Sequence, residues 1–522
     1  MPLPLPTATP GVHDADSVWA QWSPQMRHAV SIGLLLIVAV AFYSPVLFSG
    51  KAIHGSDTVS WRANAEPLIE YQERTGEQAL WTPNTFGGMP AFLINYKTKI
   101  PQADTIVNTV RSVAWPLGHV FVLLVGVYLL TFYLTRNHLS GLLSALAFGF
   151  TTYLPIILSV GHNTKFVALA YAPYILLAFV YTLRRPSLLG GLLFAAALAL
   201  GLRAKHPQIT YYALMVALVW WIVTLVRAWR HDDLVPFAQS TGWLGMGTAL
   251  ALLMVAQPYL AIYQYKQFSV RGAEVAAGGG GGGGMGWTKA MQWSQGPGEL
   301  LTLAIADAFG GGGQTYWGPK TFTEGPHYIG GVVIALSGFA LWRRRDWVTW
   351  GLGAAVIATT LFSLGKYAAW INWPMFAYFP FFEAFRAPET WLSISVLGLA
   401  VLAGIGLNDS LQPDDAEETF WPMVYSFAVV GGITALLLFT PNLILDFEKP
   451  NERQRLVQAI QQQRPNLSIQ NPKVQRFIRQ RMEKQKTARR DALQSDATRT
   501  LLAVGAALLL LWLYRRRTLP GW

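Results

Sequence analysis

LGHVFVLLVGVYLLTFYLTRNHLSGLLSALAFGFTTYLPIILSVGHNTK (117–165) decides the fold. Two apolar runs, near 114–134 and 139–158, flank a short turn that holds Arg136, and the second run ends in GHNTK. A helix needs about 20 apolar residues to cross the hydrocarbon core of a bilayer. Only internally bonded backbone is tolerated there, so runs of this length predict helices. Outward from this stretch the pattern repeats near 29–48, 166–183, 187–203, 209–227, 240–262, 328–342, 347–364, 390–406, 420–441 and 499–514. The fold class expected is an all-α, polytopic integral membrane protein of about 12 transmembrane helices.

Charge orders these runs. Arg136, Arg184–Arg185, Arg227 and Arg230, Arg343–Arg345 and Arg515–Arg517 fall in alternate gaps, which the positive-inside rule makes cytoplasmic. The acidic gap NDSLQPDDAEE departs from the pattern, but acidic residues contribute little to topology. The opposite face receives HGSDTVSW, GHNTK, RAKHPQ, a glycine-rich loop and FEAFRAPE. The expected location is therefore the bacterial inner membrane, with both termini cytoplasmic and the polar face periplasmic. Charged residues make up 13% of the 522-residue chain, well below the roughly 25% of soluble domains. The net charge of +12 reads as membrane topology, and nucleic acid is not an expected partner. With no cysteine there is no thiolate nucleophile and no cysteine metal site. No small-residue cleavage site follows the first run, so it is expected to be a retained span.

Three gaps on the polar face are long. Loop 49–113 contains WRANAEPLIEYQERTG, which reads as a helix lying along the membrane surface. Its WTPNTFGGMP (81–90) reads as a rigid turn. Loop 263–327 holds Gly278–Gly284; Gly278, Gly281 and Gly284 represent a run expected to be mobile, either a lid or a product of sequence slippage. Loop 442–498 is basic and contains a helical pattern around Val474, Phe477, Ile478 and Met482. The domain reading is a cytoplasmic tail 1–28, a transmembrane domain 29–441, the basic helical loop 442–498, and a final helix with its tail, 499–522. No Walker A, GxSxG or HExxH motif and no metal-spaced histidine pair occurs.

Asp57, about nine residues past the first run, can act as a general base on a hydroxyl. It can equally bind a metal or cap the helix that follows, as can Ser56 and Thr58. His162, Lys165, Arg203, Lys205, His206, Lys366 and Arg386 are cations or potential cations on the face opposite the topogenic arginines. Arg holds phosphate bidentately and Lys holds it as a point charge, so the ligand is either a lipid headgroup or a specific phosphate-bearing molecule.

HGSDTVSWRANAEPLIEYQERTGEQALWTPNTFGGMP, GHNTK, QWSQGPGELLTL, YWGPKTFTEGPHYIGG and FEAFRAPE together resemble the YfhO-type bacterial membrane protein family, from about residue 30 to the end. The resemblance implies a GT-C-like glycosyltransferase arrangement. It further implies a polyprenyl-phosphate-linked sugar as donor and an acidic residue on the first outer loop, matched here by Asp57, as base or acceptor-orienting group. Family members continue past QSDATRTLLAVGAALLLLWL into further spans and a soluble portion, whereas this chain ends at PGW. A partner subunit supplying that region is one expectation.

The function expected is transfer of a sugar from a polyprenyl phosphate to an extracytoplasmic acceptor, with inversion. Asp57 would be catalytic, and His162, Lys165, Arg203, Lys205, His206 and Arg386 would hold the donor phosphate. Membrane lipids are partners and no metal is assigned. The alternatives are a non-catalytic subunit or assembly factor of an envelope complex, and a transporter of lipid or anionic solute.

Overall fold

The computed structural model describes residues 21–53, 55–85, 87–95, 102–266, 286–311, 315–320, 324–412, 416–464 and 468–516. The run at 278–284, with Gly278, Gly281 and Gly284, lies outside the described residues.

About 78% of the described chain is helical. The helices of eight residues or more are α1 (Pro24–Phe42), α2 (Ser56–Thr75), α3 (Gln102–Ser112), α4 (Leu117–Thr135), α5 (His138–Gly149), α6 (Tyr153–Val160), α7 (Asn163–Arg184), α8 (Leu188–Arg203), α9 (Pro207–Arg230), α10 (Leu234–Met254), α11 (Ala256–Lys266), α12 (Gly331–Arg343), α13 (Trp347–Ser363), α14 (Ala369–Tyr378), α15 (Trp391–Ser410), α16 (Ala416–Phe439), α17 (Glu452–Gln463) and α18 (Pro472–Arg515). Strands β1 (Trp81–Thr82) and β2 (Met89–Pro90) pair antiparallel and close the WTPNTFGGMP turn.

Eight helices are long and apolar enough to cross a membrane, or ten if each of two bent pairs is one span. The bent pairs are α10 with α11, at 71°, and α13 with α14, at 113°. Two further apolar helices, α8 and α12, are shorter. Each of the twelve apolar runs thus contains helix. The run near 240–262, read as one straight span, is instead broken at Val255, where α10 ends. The fold-back of α13 onto α14 sets Trp370 and Trp373 on the surface, beside exposed Tyr367, Tyr378 and Phe381. Exposed Trp229 and Trp342 mark the other end, next to Arg230 and Arg343. Aromatic side chains at both ends of an apolar bundle match the preference of their amphipathic rings for membrane interfaces.

The centre of the bundle is α15 and α7, buried over 89% and 83% of their apolar windows. A helix hydrophobic all round belongs in an interior. Small residues let α15 approach its neighbours: Gly398 faces Val356 of α13, and Gly406 lies against the Leu336 carbonyl of α12 with no room for a Cβ. Ser144 of α5 donates to the Ala400 carbonyl at 2.7 Å. Helices α7, α9 and α15 all begin at one end of the bundle, beside the groups described below. Their other ends carry Arg184, Arg227 with Arg230, and Asp409.

The helix expected in the basic loop and the final apolar run are one continuous rod, α18, of 44 residues, with no break at 498–499. It packs on α16, and its Leu493 and Ala497 share a small apolar cluster with Ile305, Ala308, Trp317, Leu437 and Phe447. Helix α17 is tied to it by Arg489, which donates to both carboxylate oxygens of Glu452 at 2.7 Å.

Candidate functional site

Two polar stretches, one at the start of α2 and the other at the α6–α7 turn, lock together residue by residue. Gly55 and Gly161 meet backbone against backbone, and a Cβ on Gly55 would overlap the Gly161 nitrogen. Gly161 has φ +99, in the left-handed region where glycine carries no Cβ penalty. Beside that contact Asn163 Nδ2 donates to Thr58 Oγ1 at 2.9 Å. Between the two contacts, His162 Nε2 lies 3.2 Å from Asp57 Oδ2. GSDT and GHNT are therefore two halves of one built feature, and its product is an Asp–His pair on a cavity wall.

Of the sequence alternatives for Asp57, the cap is not what forms. The N-cap of α2 is Gly55, with no side-chain hydrogen bond to the helix, and Asp57 sits in the first turn. There it still complements the helix dipole, but its carboxylate is turned toward His162 and is half exposed. A neutral His162 donates Nε2–H to that carboxylate. Burial, with Lys165 adding repulsion against the pull of Asp57, lowers the His162 pKa from 6.5 to about 4, so the ring is neutral at pH 7.

The cavity has a volume of about 1020 Å³, at the upper end of the usual size for ligand pockets. Asp57, His162, Lys165, Lys205, His206 and Arg386 line it together, with Asp104, Arg111, Glu389, Trp61 and Trp293. They come from chain segments up to some 300 residues apart in sequence. Arg203 does not line the cavity. It is buried behind the wall and ion-paired to Asp104, because α3 lays its acidic first turn against the end of α8. Lys366 is also elsewhere: its Nζ lies over the Tyr367 ring, 5.2 Å from the centroid.

Two features give the cavity a positive character. Helices α7 and α9 start at its wall with His162 and His206 as N-caps, and α15 follows directly on Glu389, so helix N-termini converge there. Counting Arg203, the cations Arg111, Lys165, Arg203, Lys205 and Arg386 number five, against the three carboxylates of Asp57, Asp104 and Glu389. His206 adds no charge at neutral pH, since burial and nearby Lys165 and His162 lower its pKa to about 3. Lys205 adopts φ +62, uncommon for a residue with a side chain, within the tight corner between α8 and α9. Arg386 lies 5.2 Å over the Trp293 ring.

Beneath the cavity is a layer of charge of which sequence reading singled out only Lys165. Lys165 is buried, and its Nζ faces the Tyr153 and Thr390 hydroxyls, each at 3.4 Å. Glu389, 2% exposed, lies 3.3 Å from Lys320 Nζ, which lies 3.7 Å from Glu299. Glu299 accepts from the Tyr316 hydroxyl at 2.7 Å and from the Gly296 amide at 2.8 Å. Two lysines and two glutamates alternate through this layer, so each buried charge has an opposite neighbour. The available signal was a charged residue inside each of three Gly/Pro-rich blocks: QGPGE, YWGPK and FRAPE.

Among the described residues no three His, Asp or Glu side chains gather as metal ligands. The arrangement can accept a proton at Asp57 and hold an anion beside it. Compared with protein-family models, with curated proteins and with solved structures, the chain matches none.

Proposed function

We propose that the protein is an integral membrane glycosyltransferase that moves a sugar from a polyprenyl-phosphate donor to an extracytoplasmic acceptor. The observation that carries the reading is the cavity in which the Asp57–His162 pair faces Lys165, Lys205 and Arg386. A proton acceptor beside an anion-holding wall is what displacement at an anomeric carbon requires. Trp61 and Trp293 on the same wall offer flat apolar faces on which sugar rings stack. The resemblance of HGSDT, GHNTK and FEAFRAPE to the YfhO-type family, with its GT-C-like arrangement, points the same way.

In this reading twelve crossings are made by the eight long helices, the two bent pairs, and the short α8 and α12. The cavity end faces the periplasm of an inner membrane and the arginine end faces the cytoplasm. Asp57 takes the proton of the attacking hydroxyl while neutral His162 holds the carboxylate in place. The sugar–phosphate bond breaks with inversion, and the phosphate leaves toward Lys165, Lys205 and Arg386, whose charge offsets what develops on it. The buried Glu389–Lys320–Glu299 layer fixes the floor against which Lys165 stands.

The test is reconstitution in lipid nanodiscs with a radiolabelled polyprenyl-phosphate hexose and a membrane-extract acceptor. Label should move to the acceptor with wild type and not with Asp57→Asn. Absence of transfer from any polyprenyl-phosphate sugar, together with no polyprenyl phosphate among co-purifying lipids by mass spectrometry, would sink the reading.

A further inference from the structure

A second cavity, of about 290 Å³, opens at the arginine end of the bundle. The ends of α7 and α9 and the start of α10 build it, and Arg184, Arg185, Thr224, Arg227, Asp233 and Gln239 line it. Arg184 is 3% exposed, yet none of its three guanidinium nitrogens makes a well-formed hydrogen bond, and the Tyr133 hydroxyl is only a marginal acceptor beside it. The groups that face it are the Tyr133 ring, 5.4 Å from the guanidinium, and, by charge at longer range, Asp346 and repelling Arg136. Arg227 spends one nitrogen on Asp233, at 3.5 Å, and its buried Nη1 has no acceptor.

A guanidinium carries five donors in a planar fork and stays charged at any working pH. Burying one without an acceptor is among the costliest arrangements in a protein. Here the unmet donors of two arginines adjoin a void. Three guanidiniums and one carboxylate line it, leaving two net positive charges. The void is too small for a chain-bearing lipid but admits a headgroup. Exposed Leu188, Leu189, Leu234 and Val235 lie close in sequence to the lining residues Pro186 and Asp233.

We propose that this cavity is a phosphate-binding site, in which Arg184 and Arg227 hold the oxygens of a phosphate group. The site is separate from the larger cavity and does not depend on the function proposed for it. The shared chemistry is the phosphate; a lipid headgroup and a free phosphate are its two possible sources.

The experiment counts bound molecules on the full chain. Native mass spectrometry follows phosphatidylglycerol retained after delipidation, and equilibrium dialysis follows radiolabelled inorganic phosphate, for wild type, Arg184→Gln and Arg227→Gln. The expected result is one fewer bound molecule in R184Q and weakened retention of that same molecule in R227Q. If phosphatidylglycerol is the molecule lost, the ligand is a headgroup; if inorganic phosphate is lost, it is the free ion. R184Q should also melt no lower than wild type in delipidated detergent, because it removes an unsatisfied buried charge. Equal stoichiometry in all three proteins with both probes would overturn the proposal. So would a wild type that binds neither. Should R184Q not yield a monodisperse protein, R227Q alone decides by the same count.

Discussion

Outside the cavity at Arg184, the two ends of the bundle handle buried charge in opposite ways. At the arginine end, Arg344 donates through Nε and Nη2 to both oxygens of Asp409 at 2.7 Å, a closed fork that ties α12 to α15. At the cavity end the charges are spread: Lys165 and Lys320 alternate with Glu389 and Glu299, and the Asp57–His162 pair lies partly open beside a large void. A closed ion pair holds helices. An open, balanced wall leaves its charges available to something that enters.

The strongest way to break this contrast is Asp57→Asn. Asn keeps the size, and Gly55 is the cap, so folding should be unaffected, with a melting temperature within about 2 °C of wild type. Sugar transfer should fall on the order of 10²–10⁴-fold, the usual loss for a general base. An unchanged transfer rate in a well-folded variant would leave the cavity end with no more chemistry than the arginine end.

Asp409→Ala is the counterpart. It leaves the Arg344 guanidinium with the more distant Asp346, at 3.8 Å, and should lower stability by about 3 kcal/mol, read by chemical or thermal unfolding. Transfer per folded molecule should stay within about twofold of wild type. A specific loss of transfer would mean that the two ends are coupled.

Gly161→Ala sharpens the comparison from within the cavity end. It places a Cβ at φ +99 and 2.7 Å from the Thr58 nitrogen. A cost of about 2 kcal/mol is expected, and the Asp57–His162 contact should be lost with it. Transfer should drop even at temperatures where the variant is fully folded. Normal transfer in folded G161A would show that the backbone docking is unnecessary.

The smallest effect concerns pH. His162 and His206 have pKa values lowered from 6.5 to about 4 and about 3, chiefly by burial. The unfolded chain then binds more protons than the folded one below pH 6.5. Their contribution to stability is full above that pH and is lost as pH falls toward 4. Melting temperature should decline from pH 7 to pH 4.5, and His206→Gln should flatten part of the slope. A slope identical in H206Q would show that His206 titrates alike in both states.

The arginine end was legible because its signal is local. Arg136, Arg184 and Arg343 stand at the ends of their own apolar runs, and a run length with a charge beside it is enough to place them. The cavity end depends on partners 105 residues apart for Thr58 and Asn163, and 225 apart for Lys165 and Thr390. Residue type alone selected Asp57, His162, Lys165, Lys205, His206 and Arg386, and the fold gathers them. It also selected Arg203, whose partner Asp104 lies in a short helix that carried no apolar run to announce it. Glu389, Lys320 and Glu299 were passed over because a lone carboxylate or ammonium in a Gly/Pro-rich loop reads as solvated. The packing of α15 and of the described residues 286–311 and 315–320 encloses them. The break at Val255 was marked only by Pro258, whose missing N–H cannot bond the Met254 carbonyl, inside an otherwise unbroken apolar run, and the continuity of α18 was hidden by a change from basic to apolar composition within one helix.

That helix has a mechanical consequence. At 1.5 Å per residue α18 is roughly 66 Å long, about twice the thickness of a hydrocarbon core. It is pinned partway along: Asp496 accepts from the Asp307 amide at 3.2 Å, and Thr500 donates to the Ala304 carbonyl at 3.2 Å. About 36 Å of stiff rod extends from that fulcrum to Pro472, so a tilt of roughly 10° would swing the far tip by about 6 Å. The fulcrum segment follows directly on Glu299, five residues before Ala304 in the chain. A push on the distant tip is therefore geared down into a small, forceful displacement next to the floor of the larger cavity.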